Sequence, residues 1–136
     1  MPWVKSQKTR FFDAEVRPLQ GHEDILLFCK EGYGTYNPQM TEGRRITANR
    51  KPRAGEHYGA DKGASYDSTQ RYPSTALDFP NGHGGKKPIN PTQKPLDLIA
   101  YLVATYSNEG ALVIDPTAGS GVVARACALL KRDCGS

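Results

Sequence analysis

The sequence predicts an α/β protein, part of a doubly wound sheet carrying a loop-rich insert. Three observations predict it. Residues 111–132 run as an apolar strand, "ALVID", a small-residue turn, "PTAGSG", and a helical stretch, "VVARACALLKR". Just before them lies a stretch with helical apolar spacing, and residues 25–28 form a second short apolar run. Strand, glycine turn and helix in that order make half of a doubly wound unit.

Taken in order, the chain divides into three segments. The first, residues 1–40, has one clear element. Ile25, Leu26, Leu27 and Phe28 stand in a row between charge and "EGYG", which reads as a buried strand. The second, residues 41–89, is basic and shows no helical period, and only "STALDF" (74–79) hints at a strand. Such a long stretch without elements is uncommon in a compact domain unless it binds something or is disordered. The third, residues 90–136, is the most legible. Leu98, Leu102 and Tyr106, joined by Ile99 and Val103, predict a helix with one wide buried stripe. Pro95 is acceptable in its first turn, Asp97 complements its positive end, and Asn108 with Gly110 stops it. Lys131 and Arg132 fall at the negative end of the second helix.

Composition narrows the function. A chain of 136 residues is one domain or part of one, and a mean hydropathy of -0.60 leaves a modest core. A formal charge of +4 favours an anionic partner. Cys29, Cys127 and Cys134 are odd in number and lack CxxC spacing. That argues against a disulfide framework or a zinc site and fits a reducing cytoplasm. His22, His57 and His83 lie far apart in turn-like contexts, so no metal is expected. No apolar stretch reaches the ~20 residues of a membrane span, and "MPWVKSQKTRFF" is no signal peptide.

The turn itself selects among ligands. A phosphate-cradling P-loop needs a lysine where Val122 stands. The dinucleotide pattern is matched by Gly119, Gly121 and Ala124, but Asp115 at the strand tip would repel a pyrophosphate. The acid expected about twenty residues onward for a ribose has only Asp133 as a candidate, in a tail with no strand around it. A ligand with a cationic amino-acid head and an adenosyl body suits the turn better, and S-adenosylmethionine is that ligand. A glycine-rich turn without any ligand is the plain alternative.

"NPTQKPLDLIAYLVATYSNEGALVIDPTAGSG" resembles the cofactor-binding half of the DNA methyltransferases that modify adenine N6 or cytosine N4. In that family a Pro-Thr-Gln-Lys-Pro segment opens a helix, and an Asp-Pro-Phe-x-Gly-Ser-Gly-Thr loop follows a strand. The resemblance implies a Rossmann-like, S-adenosylmethionine-dependent methyltransferase fold. It places Thr92, Gln93 and Lys94 on one side of the cofactor, and Asp115, Pro116, Thr117, Ala118, Gly119, Ser120 and Gly121 on the other. The sequence departs from the family at Asn90 (usually His), Thr117 (usually Phe) and Val122 (usually Thr). "WVKSQKTRFFDAEVRPLQGHEDILLFCK" and "TYNPQM" are similar to the segment between catalytic motif and recognition region, an order that marks the permuted group.

The family's Pro-Pro-aromatic loop, which accepts hydrogen bonds from the flipped base's amine, has no counterpart here. "YNPQM", "DFPN" and "IDPTA" each fail the pattern, so no catalytic residue is assigned. In the family that loop lies upstream, and a ribose-binding strand lies downstream. The chain therefore reads as an internal piece, expected to bind cofactor weakly and not to methylate DNA alone, with a second polypeptide as one possible source of the catalytic half.

The basic middle is expected to read double-stranded DNA. Arg44, Arg45, Arg50, Lys51, Arg53, Lys86 and Lys87 are the candidate contacts, with "GRRITANRKPR" the densest patch. The alternatives are a solvated basic loop, a non-catalytic DNA-binding remnant of such an enzyme, and a dinucleotide-binding oxidoreductase fragment.

Overall fold

A computed structural model describes residues 1–55, 59–61, 63–81, 90 and 92–136, with backbone only for 53–55 and 59–61. The elements run β1 (Pro2–Thr9), a short 3-10 turn (Phe11–Asp13), β2 (Gln20–Asp24), β3 (Thr41–Arg50), β4 (Arg53–Gly55), β5 (Gly59–Asp61), β6 (Ala64–Arg71), β7 (Leu77–Asp78), α1 (Leu96–Tyr106), β8 (Leu112–Ile114), α2 (Val122–Leu129) and β9 (Asp133–Gly135). Two compact units result: residues 1–39 with 74–136, and residues 40–73.

In the first unit β1 is the centre of a three-stranded sheet, antiparallel to β2 and parallel to β7. Trp3 pairs across to Glu23 on one side and to Leu77 on the other. Trp3, Leu77 and Leu98 are buried together, with Ile25, Phe79, Tyr101 and Leu102 packed around them. The Trp3 indole N–H donates to Phe79 O at 2.7 Å, so the polar edge of the largest core side chain is satisfied.

The helix expected at residues 96–106 is present, but its apolar stripe serves two cores. Leu98, Tyr101 and Leu102 face the β1 sheet, while Leu96, Ile99, Ala100 and Val103 pack with Ala126, Cys127, Val113, Val123 and Leu130. Pro95 takes the N-cap position with extended ψ, as a residue without an N–H can. At the other end, Asn37 answers the carbonyls a helix leaves unpaired. Its N–H donates to Thr105 O at 2.7 Å, and its amide donates to Ala104 O, Ser107 O and Asn108 Oδ1 at 3.1–3.3 Å. Arg132 adds a cation there, donating to Ser107 O at 2.9 Å and also to Leu130 O at the end of α2.

β8 and β9 pair in parallel, joined through α2, which makes a single βαβ unit. The described residues thus form one three-stranded and three two-stranded sheets rather than one wound sheet.

Three expectations are corrected. Residues 25–28 are not a buried strand: the Ile25 N–H bonds Met1 O, the last pair of the β1–β2 ladder, and Leu26, Leu27 and Phe28 lie beyond it with exposed side chains. No described strand runs beside them to bury the run. The tail around Asp133 is a strand, because the β8 edge offers it a parallel ladder through Cys134 and Gly135. The basic middle also has elements of its own. In the second unit β3 and β6 form a long antiparallel ribbon and β4 pairs with β5.

Replacing Asn37 with Ala removes three side-chain hydrogen bonds from the end of α1. Unfolding in urea, followed by the fluorescence of Trp3, the only tryptophan, is expected to show a loss of about 1–3 kcal/mol. An unchanged midpoint would mean that the Asn37 side chain does not hold that helix end.

Candidate cofactor cleft and basic ribbon

Two pieces of the first unit face each other across a cleft of about 440 Å³. One wall is the entrance to α1, with Asn90, Thr92, Gln93, Lys94 and Ile99; the other is the turn after β8, with Asp115, Thr117, Ala118, Gly119 and Ser120, closed by Val122 and Val123. Of the ten residues expected around a cofactor, eight line this cleft. Pro116 and Gly121 belong to the same turn without lining it.

Local hydrogen bonds explain the shape of each wall. Asn90 Oδ1 accepts from the Thr92 N–H at 2.9 Å and from its hydroxyl at 2.8 Å, while the Gln93 N–H donates to Asn90 O at 2.9 Å. An asparagine that folds its own chain in this way makes an Asx-type turn. Opposite, Asp115 Oδ1 accepts from the Thr117 N–H at 3.0 Å and from its hydroxyl at 3.3 Å. Thr117, where the family usually has an aromatic, thus fixes the carboxylate of Asp115 through one oxygen. The other oxygen takes no hydrogen bond from a described residue. Gly119 (φ 50°) and Gly121 (φ 69°) adopt left-handed backbone, which glycine tolerates without steric cost. The Gly121 N–H closes the turn onto Ala118 O at 2.7 Å and starts α2.

Among the described residues, one buried side-chain polar atom has no partner. Gln93 Oε1 is enclosed and accepts no hydrogen bond from a described residue. An acceptor stranded in this way costs about 1–3 kcal/mol unless something donates to it.

Lys94 is committed elsewhere. Its ammonium donates to Glu23 Oε2 at 2.6 Å, and Lys5 pairs with Glu23 Oε1 at the same distance. Both ammonium groups lie over the Trp3 ring, at 5.7 and 5.8 Å from its centroid, within cation–π range. Burial would raise the pKa of Glu23, but the hydrogen bonds and charges of Lys5 and Lys94 outweigh it and hold the carboxyl below its ordinary value. The charged cluster thereby ties the α1 entrance to β2. Burial raises the thiol pKa of Cys127, which sits fully enclosed in the helix–helix core. Among the described residues no group of His, Cys, Asp or Glu could hold a metal ion.

In the second unit Arg44, Arg45 and Arg50 lie on β3 and Lys51 just after it, all exposed. Arg53 begins β4, and Lys86 and Lys87 fall outside the described residues. The guanidinium of Arg45 donates through Nε and Nη2 to both oxygens of Asp67, at 2.7 Å each. That pair raises the pKa of the arginine and lowers that of the aspartate.

Sequence reasoning did not assign Asn90, Ile99, Val122 and Val123 as lining residues. Ile99 is read there only as part of the buried stripe; it stands one turn after Pro95, a spacing that could have placed it at the helix entrance.

A strand-tip carboxylate, a left-handed glycine turn and a facing helix entrance define an α/β chain with a preformed cleft. Residues 1–135 match the family model described as DNA methylase, of the N6/N4 type, and the chain belongs to that family of amino-methylating DNA methyltransferases. It is similar to the type II methyltransferase M.HpaI of Haemophilus parainfluenzae, 40% identical over 115 residues that cover 82% of this chain. The chain spans about a third of that relative, 32% of its length.

Because the folded-state pKa of Glu23 is depressed, its contribution to stability is present above the unfolded value near ~4.3 and is lost as pH falls through the folded one. Glu23→Gln is expected to flatten the acid limb of the stability–pH curve measured by urea midpoints. An unchanged acid limb in the variant would show that the two lysines do not perturb this carboxylate.

Proposed function

We propose that this chain supplies the S-adenosylmethionine site and the DNA-reading region of a site-specific DNA methyltransferase acting on adenine N6 or cytosine N4. The observation that carries the reading is the cleft itself, with an available oxygen on Asp115 on one wall and the orphaned Gln93 Oε1 on the other. Both are acceptors, and the ligand implied by the family brings donors: an ammonium group and an adenine amine. The residues present therefore fit that cofactor. Family membership favours this reading over a dinucleotide site, whose pyrophosphate would meet the charge of Asp115.

In this reading Asp115 holds the amino-acid head, Gln93 takes a donor from the other side, and Thr92, Ala118, Gly119 and Ser120 shape the walls. Thr117 keeps the carboxylate in place, and Gly121 turns the chain into α2. Lys94 contributes by anchoring the entrance through Glu23. When bound, the cofactor supplies a methyl group made electrophilic by its sulfonium. The partly Rossmann-like arrangement is represented by β8, α2 and β9. The exposed basic ribbon, with Arg44, Arg45, Arg50 and Lys51, binds duplex DNA, and Arg53, Lys86 and Lys87 add basic charge to the same stretch of sequence. No Pro-Pro-aromatic stretch occurs in these 136 residues. The groups that orient and polarise the target amine therefore come from outside them, and the chain alone does not turn over. A cytoplasmic location accords with free cysteines.

Calorimetric titration with S-adenosylmethionine tests the cofactor part. The chain is expected to bind, and Asp115→Asn, which can keep the Thr117 hydrogen bonds but not the charge, to bind roughly 10- to 100-fold more weakly, as loss of a charge-assisted hydrogen bond predicts. Equal affinity in the two proteins contradicts the assignment of Asp115.

A further inference from the structure

The β3–β6 ribbon has two chemically different faces. Register pairs Thr47 with Asp67 and Asn49 with Ser65 on one face, and Ala48 with Tyr66 and Ile46 with Ser68 on the other. The first face is polar throughout and internally bonded. Thr47 Oγ1 donates to Asp67 Oδ1 at 3.2 Å, the Ser65 hydroxyl donates to Asn49 Oδ1 at 2.9 Å, and Arg45 grips Asp67 with two bonds. Every described side chain of β3 is exposed, so this face is not part of a core.

Stability alone gives little reason for such a network. A fully exposed ion pair contributes little to stability, and a two-stranded ribbon is marginal in water. What the network does achieve is orientation. Nε and one Nη2 proton of Arg45 are taken by Asp67, leaving Nη1 and the outer Nη2 proton without a partner among the described residues. That outer edge is the donor pair that matches O6 and N7 of guanine. An arginine already held extended loses less rotamer freedom on binding.

We infer that Arg45, buttressed by Asp67, is a specificity-determining residue that reads a guanine in the major groove of duplex DNA. The inference rests on the DNA-reading role proposed above. The major groove admits a two-stranded ribbon, and residues 40–73 carry seven basic against four acidic residues, which suits a polyanionic partner. Asn49, farther along the same face beyond Thr47 and partly engaged by Ser65, is a second hydrogen-bonding side chain for another base of the site.

The test is enrichment of a duplex pool with a randomised central segment on the 136-residue chain, followed by sequencing of the bound fraction. Wild type is expected to enrich a site containing guanine. Arg45→Ala and Arg45→Lys should each lower the preference for guanine at one position by roughly 10- to 100-fold and leave the other positions unchanged. Arg45→Lys should also keep the salt dependence of binding, because the charge remains while the fork is lost. Asp67→Asn should weaken the same position while leaving the others intact, and circular dichroism should match wild type in all three variants.

Undiminished guanine preference in Arg45→Ala overturns the inference and reduces the pair to a surface ion pair. Salt-sensitive binding without any base preference in wild type also overturns it, yet leaves the DNA-binding reading standing. No binding to duplex at low salt removes both.

Discussion

Helix α1 is gripped on two sides, and the candidate cofactor cleft depends on that grip. Leu98 and its neighbours hold it to the β1 sheet, while Ile99, Ala100 and Val103 hold it to α2 and β8. The α1 entrance supplies one wall of the cleft and the turn between β8 and α2 supplies the other. The packing of α1 against α2 and β8 sets the separation of the walls, and no hydrogen bond between described side chains crosses the gap. Ala126 and Cys127 have no exposed surface, so the two helices approach closely and the contact tolerates little change in volume. Asn37 and Arg132 then finish the far end of α1, where unpaired carbonyls would otherwise fray it.

Charge is distributed around the cleft with a clear division. Glu23 gathers Lys5 and Lys94 over the Trp3 ring, so both cations beside the cleft are paired with its carboxylate, in a cluster that keeps one net positive charge. What remains available in the cleft is acceptor character, from Asp115 and Gln93. That balance suits a cation better than a phosphate, in line with the absence of a P-loop lysine. Thr117 illustrates how a departure from the family pattern is absorbed. An aromatic surface is given up, and a hydroxyl is gained that adds a second donor to the backbone N–H already holding the Asp115 carboxylate.

Much of the first unit could be read from the sequence, because its signals are local. Helical spacing from Leu98 to Tyr106, the apolar run before Asp115 and the small-residue turn each report a strong physical preference over a few residues. The long ribbon escaped notice for the opposite reason. Strand patterns are recognised by an alternation between buried and exposed faces, and β3 is exposed at every position. Residues 25–28 misled because apolar composition signals burial only where a neighbouring strand exists. Leu26, Leu27 and Phe28 have none among the described residues. β9, three residues of Asp-Cys-Gly, carries almost no strand propensity and forms because β8 offers it an edge. For the cleft, motif spacing placed residues on two walls without showing that Lys94 turns toward Glu23, since that contact joins residues 71 apart in the chain.

The central claim is that the α1 entrance and the β8–α2 turn form one binding site. Amide chemical shifts of the isotope-labelled chain, followed by NMR during titration with S-adenosylmethionine, test it most directly. The amides of Gln93, Thr117, Gly119 and Ser120 are expected to move together along one saturating curve, while those of β3 and β6 stay in place. Shifts confined to one wall, or a response centred on the ribbon, would contradict the claim.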